Sequence, residues 1–202
     1  MRKIFALFTV LAVGFFVLNG FVTQASNQDS FWNDAAQAGM AEVMLANLAL
    51  QKSTNEEVKQ LAQKVVDDHT AANNELKDLA ATKSATLPTE VNTKQKATYD
   101  KLNALSGDQF DKEFVKVMVK DHEKAVSLFQ KQADRGTDAD VKAWAAKTLP
   151  ALQGHLEMAK ALNDKMKSMK SSKKNSNSAD GNMNSNGSMN MNSNGSTNAN
   201  FR

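Results

Sequence analysis

The sequence has no cysteine, only two prolines and a single tyrosine among its 202 residues. Without cysteine the chain forms no disulfide and offers no site for lipid attachment at a bacterial lipobox. Proline and glycine are scarce within the stretches that show a helical apolar pattern, which alanine, leucine, lysine, glutamine and glutamate fill instead. No alternating pattern of the kind typical of strands competes with this periodicity. The sequence therefore predicts an all-α protein.

The middle of the chain also lacks an excess of charge of either sign. The formal net charge is +3, but it comes from the two ends. The basic residues outside residues 26–170 are Arg2, Lys3, Lys173, Lys174 and Arg202, against one acidic residue, Asp180. Acidic and basic residues are therefore almost equal in number within residues 26–170. Because no basic face is available to follow phosphates, the sequence indicates no nucleic-acid partner.

The N-terminal segment has the pattern of an export signal. Residues 1–25 begin with two basic residues, continue with an uncharged, largely apolar run over residues 4–22, and end in small residues before Ser26. This order of features predicts a secretory signal peptide that is cleaved before Ser26. An uncleaved membrane anchor is the alternative, since the run approaches the roughly 20 residues that span a bilayer. Either way, we expect an exported protein, located in the periplasm or associated with the cell envelope.

The C-terminal segment, residues 171–202, is dominated by asparagine, serine and glycine and contains the near-repeat NMNSNGS. Such a composition buries too little apolar area to offset the entropy of ordering, so it predicts a disordered tail. The lysine-rich stretch from Lys165 to Lys174 could make a weak contact with an anionic membrane surface, although lysines also suit a helix end. Residues 26–170 remain as one folded domain.

Apolar residues recur at spacings of three and four in four stretches of this domain, which predicts four amphipathic helices. The predicted starting points are Ser30, Asn55, Ser106 and Asp138. Asn55 is a suitable N-cap, and Ser106 and Gln109 have the spacing of a capping box. Pro150 is expected to kink or break the fourth helix, because proline lacks the backbone donor and clashes with the preceding turn.

The connections between these helices are short, long and short. Residues 82–106, between the second and third helices, are too many for a tight hairpin, and part of this crossover is expected to be helical. One long crossover among four helices describes a ferritin-like four-helix bundle.

Four polar residues occupy core-facing positions in these helices. Glu42, His69, His122 and His155 each lie on the apolar stripe of a different helix, or one position from it, and near mid-height. A carboxylate or imidazole in a core is costly unless it is paired or bound, so we expect the four to converge. Three histidines with one carboxylate would suit a single Zn(II), Cu(II) or Ni(II) ion.

Aspartate precedes two of these histidines, as Asp68 before His69 and Asp121 before His122. Neighbours in sequence do not face each other on a helix. We therefore expect each aspartate to orient a histidine of another helix rather than to ligate an ion itself.

Four stretches carry a resemblance to a known family: FWNDAAQAGMAEVMLANLAL, VKQLAQKVVDDHTAANNEL, LSGDQFDKEFVKVMVKDHEKAVSLF and LPALQGHLEMAKAL. They resemble a bacterial exported family of unknown function, DUF4142, whose members are labelled outer-membrane or periplasmic proteins and are counted among ferritin-like bundles. The resemblance covers most of residues 31–162 and leaves out the signal segment and the tail. It implies the compartment and the bundle, but no activity.

A di-iron centre does not fit the ligands. Di-iron bundles place a glutamate three residues before a histidine on two of their helices. The residues at these positions here are Val66, Val119 and Leu152, and none of them can bind a metal. No serine has a base close to it in sequence, so hydrolase chemistry has no positive support either.

Two main hypotheses therefore remain. In the first, the protein is an exported structural, stress-related or interaction module whose polar cluster is a metal-free network that fixes helix register. In the alternative, it is a periplasmic bundle that binds one divalent ion. An enzyme that uses this ion is a third and weaker hypothesis, because it would need an open coordination position. The sequence leaves open whether the protein forms a homo-oligomer.

Overall fold

The computed structural model describes the backbone of residues 22–179 and the side-chain surroundings of residues 30–169. Over this part of the chain the protein is all-α, as predicted, with no strand. Its five helices are α1 (Val22–Lys52), α2 (Glu56–Thr82), α3 (Thr93–Asn103), α4 (Gly107–Arg135) and α5 (Ala139–Ala179). None of the helices among the described residues combines the length and apolarity needed to cross a membrane.

Most of the predicted signal peptide and the greater part of the predicted tail lie outside the described residues. The described residues nevertheless include the two predicted boundaries of the domain. Helix α1 begins at Val22, ahead of the expected cleavage before Ser26, and α5 extends to Ala179, past the predicted start of the tail at residue 171. The domain boundaries at residues 25 and 170 stay predictions.

Two helix starts follow their local sequence signals. The Asn55 side chain accepts hydrogen bonds from the backbone amides of Glu57 and Val58, at 2.9 and 3.3 Å, and so caps α2. Asp138 accepts from two backbone amides in the same way, at 3.0 and 3.1 Å, immediately before α5. Both residues satisfy amides that have no partner within the helix.

One other predicted start is wrong, and a second is right although its predicted cap does not form. Helix α1 already includes Val22 and therefore does not start near Ser30, since residues 22–29 contain no proline or glycine. Ser106 precedes α4, but its side chain makes no capping hydrogen bond. Gly107, the next residue, has a left-handed φ of 52°, so the turn that a capping serine requires does not form. The capping box belongs instead to Asn92 and Gln95, at the start of α3.

Helix α3 lies in the predicted crossover, which is therefore partly helical. It contacts both α1 and α4. Its first turn is fixed to α1, because Asn92 Nδ2 donates to Gln37 Oε1 at 2.6 Å and Gln95 Nε2 donates to Gln37 O at 3.1 Å.

The predicted break at Pro150 does not occur, since α5 is continuous through this residue. Leu149 and Leu152, on either side of the proline, are both buried. Their burial offsets the backbone hydrogen bond that proline removes. The kink that proline would cause in this helix stays a prediction.

The apolar core lies in the first of two compact units, which ends at Asn163. Four of the helices contribute to it: α1, α2, α4 and α5. An aromatic group occupies one part of this core. The ring centroid of Phe31 lies 5.5 Å from that of Phe129 and 6.1 Å from that of Trp144, both in edge-to-face geometry. The second unit, from Asp164 onward, contains the last part of α5.

Candidate metal centre

Three histidine side chains, from α2, α4 and α5, meet inside the domain. His69, His122 and His155 are 5%, 0% and 1% exposed. Each continues the apolar side of its helix, as His69 does after Leu61 and Val65 in α2. A residue at this spacing faces the core whatever its polarity, so the apolar pattern itself turns the imidazoles inward.

One nitrogen of each ring points towards the other two rings. His69 Nε2 and His122 Nε2 each lie 3.3 Å from His155 Nδ1. Three nitrogens, one from each ring, all lie within 4.8 Å of one another. These three atoms are called the inner nitrogens below.

The other nitrogen of each ring, the outer nitrogen, has a hydrogen-bond acceptor beside it. The pairs are His69 Nδ1 with Glu42 Oε2 at 2.9 Å, His122 Nδ1 with Met118 O at 3.0 Å, and His155 Nε2 with Asp68 Oδ2 at 2.9 Å. A carbonyl and an ionised carboxylate can only accept a hydrogen bond, so we assign the proton of each neutral ring to its outer nitrogen. The inner nitrogens then carry lone pairs.

Three lone pairs that face one another repel unless a cation lies among them. An ion bonded to imidazole nitrogens at about 2.0–2.1 Å in a tetrahedral arrangement holds neighbouring nitrogens about 3.3–3.4 Å apart. The two separations of 3.3 Å, from His155 to each of the other rings, match this spacing. The third separation is limited only by the 4.8 Å span of the set. The three histidines therefore have the donor atoms and the protonation pattern to hold one metal ion, and two of their three separations fit it.

Glu42 reaches the same cluster from α1, but on the outer side of the rings. Its Oε2 accepts from His69 Nδ1, and its Oε1 lies 3.6 Å from His122 Nδ1. The sequence predicted that Glu42 binds the metal. The geometry instead favours a role in which the Glu42 carboxylate orients the histidines. Such outer partners fix the tautomer and the direction of a ligating imidazole.

The charge of Glu42 is maintained by the histidines. Burial raises the pKa of this carboxyl, but the charge and hydrogen bond of His69, followed by the charges of the other two histidines, outweigh burial and hold the pKa below its usual value. The side chain is 2% exposed, so the domain contains an ionised carboxylate that is almost completely out of water.

Asp68 contacts a histidine of another helix, while Asp121 does not. Asp68 Oδ2 bridges His155 Nε2, at 2.9 Å, and Lys64 Nζ, at 2.6 Å. Burial raises the pKa of Asp68, but its hydrogen bonds with Lys64 and His155 lower the pKa by more than burial raises it, so the carboxyl stays ionised. Asp121 is one third exposed and pairs with Lys124 at 2.8 Å, on the outside of α4.

Two of the histidines have a lowered pKa. Burial, together with the charges of His69 and His122, lowers the pKa of His155 to about 4. Burial also lowers the pKa of His122, against the opposing charge of Glu42. Both rings are therefore neutral near neutral pH, which is the form that binds a metal ion.

Two members of the cluster were missed in the sequence analysis. Met118 and His122 are four residues apart in α4, so the Met118 carbonyl is within reach of the ring. Lys64 and Asp68 have the same spacing in α2. The i, i+4 relation on a helix would have indicated both contacts.

Fold and site together define an all-α domain with a buried cluster of three histidines. The chain belongs to the family described as domain of unknown function DUF4142, whose model matches residues 21–162.

Solved structures of DUF305 proteins are similar to this chain, and two of them are described here. A DUF305 fragment from Deinococcus radiodurans has a TM-score of 0.62 at 15% identity, covering 69% of this chain and 96% of its own. A DUF305 protein from Streptomyces coelicolor, described as a candidate secreted protein, has a TM-score of 0.60 at 15% identity, covering 70% of this chain and 92% of its own. At this identity the likeness shows the fold alone. No curated protein matches the chain.

Proposed function

We propose that this protein is an exported helical bundle that binds one divalent transition-metal ion through His69, His122 and His155. The observation that carries the proposal is the convergence of three inner nitrogens, each on a ring whose outer nitrogen is already used as a donor. Ligating histidines in metalloproteins show this pattern, in which the second nitrogen donates to a carboxylate or a backbone carbonyl.

The balance of charge supports the same proposal. When the three rings are neutral, as metal binding requires, the buried Glu42 carboxylate has only a neutral donor beside it, and an uncompensated buried charge is costly. A divalent ion at the inner nitrogens would place positive charge on the far side of the ring that contacts Glu42. Asp68 already has Lys64 as a partner, so the carboxylate that gains most from the ion is Glu42.

The ligand set suits Zn(II), Cu(II) or Ni(II), for which imidazole is a favourable ligand. Three histidines leave a fourth position for water or another small ligand. The architecture that we infer is the ferritin-like bundle expected from the sequence, with α1, α2, α4 and α5 as its four helices and α3 in the crossover. Export is supported by the signal pattern in residues 1–25 and by the description of the Streptomyces coelicolor neighbour as secreted.

The test uses the protein without a histidine tag, freed of metal by a chelator and then titrated separately with each of the three ions. We expect one ion per chain. We also expect unfolding free energy to rise by about 2.7 kcal/mol when the free ion exceeds its Kd by 100-fold. His122→Gln removes one inner nitrogen and should abolish both effects.

The matched control is Asp121→Asn, which changes the adjacent residue but none of the contacts of the three rings. This variant should bind the ion as the unchanged protein does. If a folded protein binds none of the three ions in stoichiometric amount, the proposal is wrong. The cluster then serves as a metal-free polar network that fixes helix register.

A further inference from the structure

Two buried polar atoms near the histidines have no hydrogen-bond partner among the described residues. They are Glu42 Oε1, an acceptor, and Trp144 Nε1, a donor. Asp111 Oδ1 is the third such atom. Buried groups of this kind are rare in folded proteins, and each requires an explanation.

Glu42 and Trp144 line the same small cavity, whereas Asp111 does not. The cavity measures about 20 Å³, and Asn73 and Thr148 also line it. A site for one water molecule needs about 10–15 Å³ of such volume and two to four polar partners. The cavity has room for one water molecule and no larger ligand, and it has polar groups of both kinds.

We propose that one internal water molecule bridges Trp144 and Glu42. The water accepts a hydrogen bond from Trp144 Nε1–H and donates one to Glu42 Oε1. Thr148 Oγ1 donates to Trp144 O at 2.9 Å, so its lone pairs are free to accept the second proton of the water. The bridge satisfies both orphaned atoms at once.

The aromatic packing around Trp144 does not by itself account for an indole at this position. Its ring centroid lies 6.1 Å from that of Phe31 and 5.2 Å from that of Phe129. A phenylalanine could make the same kind of contacts, since they involve only ring faces and edges. What the indole adds is its N–H group, and this group is the one left without a protein partner.

The bridge makes Trp144 a positioning residue for the histidine cluster. A continuous path of hydrogen bonds runs from the indole through the water to one oxygen of Glu42, and from the other oxygen to His69 Nδ1. Because both oxygens are then held, the carboxylate cannot rotate away from His69, and the ring keeps its inner nitrogen directed at the ion. This last step depends on the proposed metal function, but the water bridge itself does not.

The experiment begins with ¹⁵N-labelled, metal-free, full-length protein in solution. It has two indole N–H signals, from Trp32 and Trp144, and Trp32→Phe assigns them. We expect a cross-peak between the Trp144 indole proton and a long-lived bound water, and a shift of this signal in Glu42→Gln that exceeds the shift of the Trp32 signal. If the unchanged protein shows no such cross-peak, the water bridge is refuted.

The second measurement compares Zn(II) affinity in Trp144→Phe and in Trp32→Phe. We expect the first variant to bind about 10–100-fold more weakly than the unchanged protein, the loss typical of an outer partner of a metal ligand, and the second to bind normally. Equal affinities in the two variants would refute the positioning role. If the cross-peak is present but the unchanged protein binds no Zn(II), Cu(II) or Ni(II), the proposed metal function fails while the water bridge stands.

Discussion

Acidification should destabilise the metal-free protein in a defined pH interval. The pKa of His155 is about 4 in the folded protein, against an ordinary value of 6.5. Between these two values the unfolded chain holds a proton on His155 and the folded protein does not. The unfolded state therefore binds more protons, and the free energy of unfolding falls as pH falls through this interval.

The size of the effect follows from the same two values. One pKa unit corresponds to about 1.4 kcal/mol, so His155 alone accounts for a loss of about 3 kcal/mol between pH 6.5 and 4. The lowered pKa of His122 adds a loss of the same sign. The lowered pKa values of Glu42 and Asp68 contribute mainly below their ordinary values of 4.5 and 3.8, and so after most of this loss has occurred.

The assay is urea unfolding, followed by circular dichroism in the presence of a chelator, at several pH values from about 7 to 4.5. His155→Gln is the control variant, since glutamine does not titrate, and its profile should be flatter by most of the predicted loss. A profile for the unchanged protein that stays flat or rises on acidification would refute the reasoning. A bound ion should move the loss to lower pH and make it steeper, because protons must then displace the metal.

Three further predictions concern single positions. Asp68→Asn keeps an acceptor beside His155 but removes the charge, and should weaken metal binding about 10–100-fold in a competition titration; unchanged affinity would count against the orienting role. Gly39→Ala places a Cβ that overlaps Asn73 Oδ1 and lies 2.9 Å from its Cγ. It should cost about 1 kcal/mol in urea unfolding, whereas in an Asn73→Ala background it should gain up to about 1 kcal/mol from helix propensity; equal effects in both backgrounds would contradict the overlap. Asn55→Ala should cost about 1 kcal/mol as a lost helix cap, and Ser106→Ala clearly less, since its side chain caps nothing; equal losses would contradict this difference.

The helices were predictable wherever periodicity and a local cap agreed. The apolar stripe after Asn55 and the one after Asp138 each begin at a residue that could cap a helix, and both helices start there. The signal failed where either part was missing. No breaker lies between Val22 and Ser30, so the start predicted for α1 is too late. The start of α4 after Ser106 was predicted correctly, but the left-handed Gly107 removed the cap that the spacing of Ser106 and Gln109 predicted.

The meeting of the polar residues could also be derived from the sequence, because an imidazole on an apolar stripe has to face the core. The role of each residue could not. Whether Glu42 reaches the inner or the outer nitrogen of a ring depends on side-chain torsions and on small rotations of α1. Asp68 and Asp121 stand in the same dipeptide, yet only Asp68 lies close enough to α5 to contact a histidine there. Such differences depend on how the helices are placed relative to one another, and this placement cannot be derived from a single sequence.

The depth of the three rings has a consequence for the residence time of a bound ion. Each ligand comes from a different helix, and His122 has no exposed surface at all. Competing ligands larger than the water or small ligand of the fourth position would therefore not reach a bound ion while α2, α4 and α5 stay packed. Release would have to wait for a local opening of the domain, so its rate would be set by helix motion as much as by the strength of the metal–nitrogen bonds. A protein built in this way would keep its ion for long periods and would exchange it slowly with other carriers.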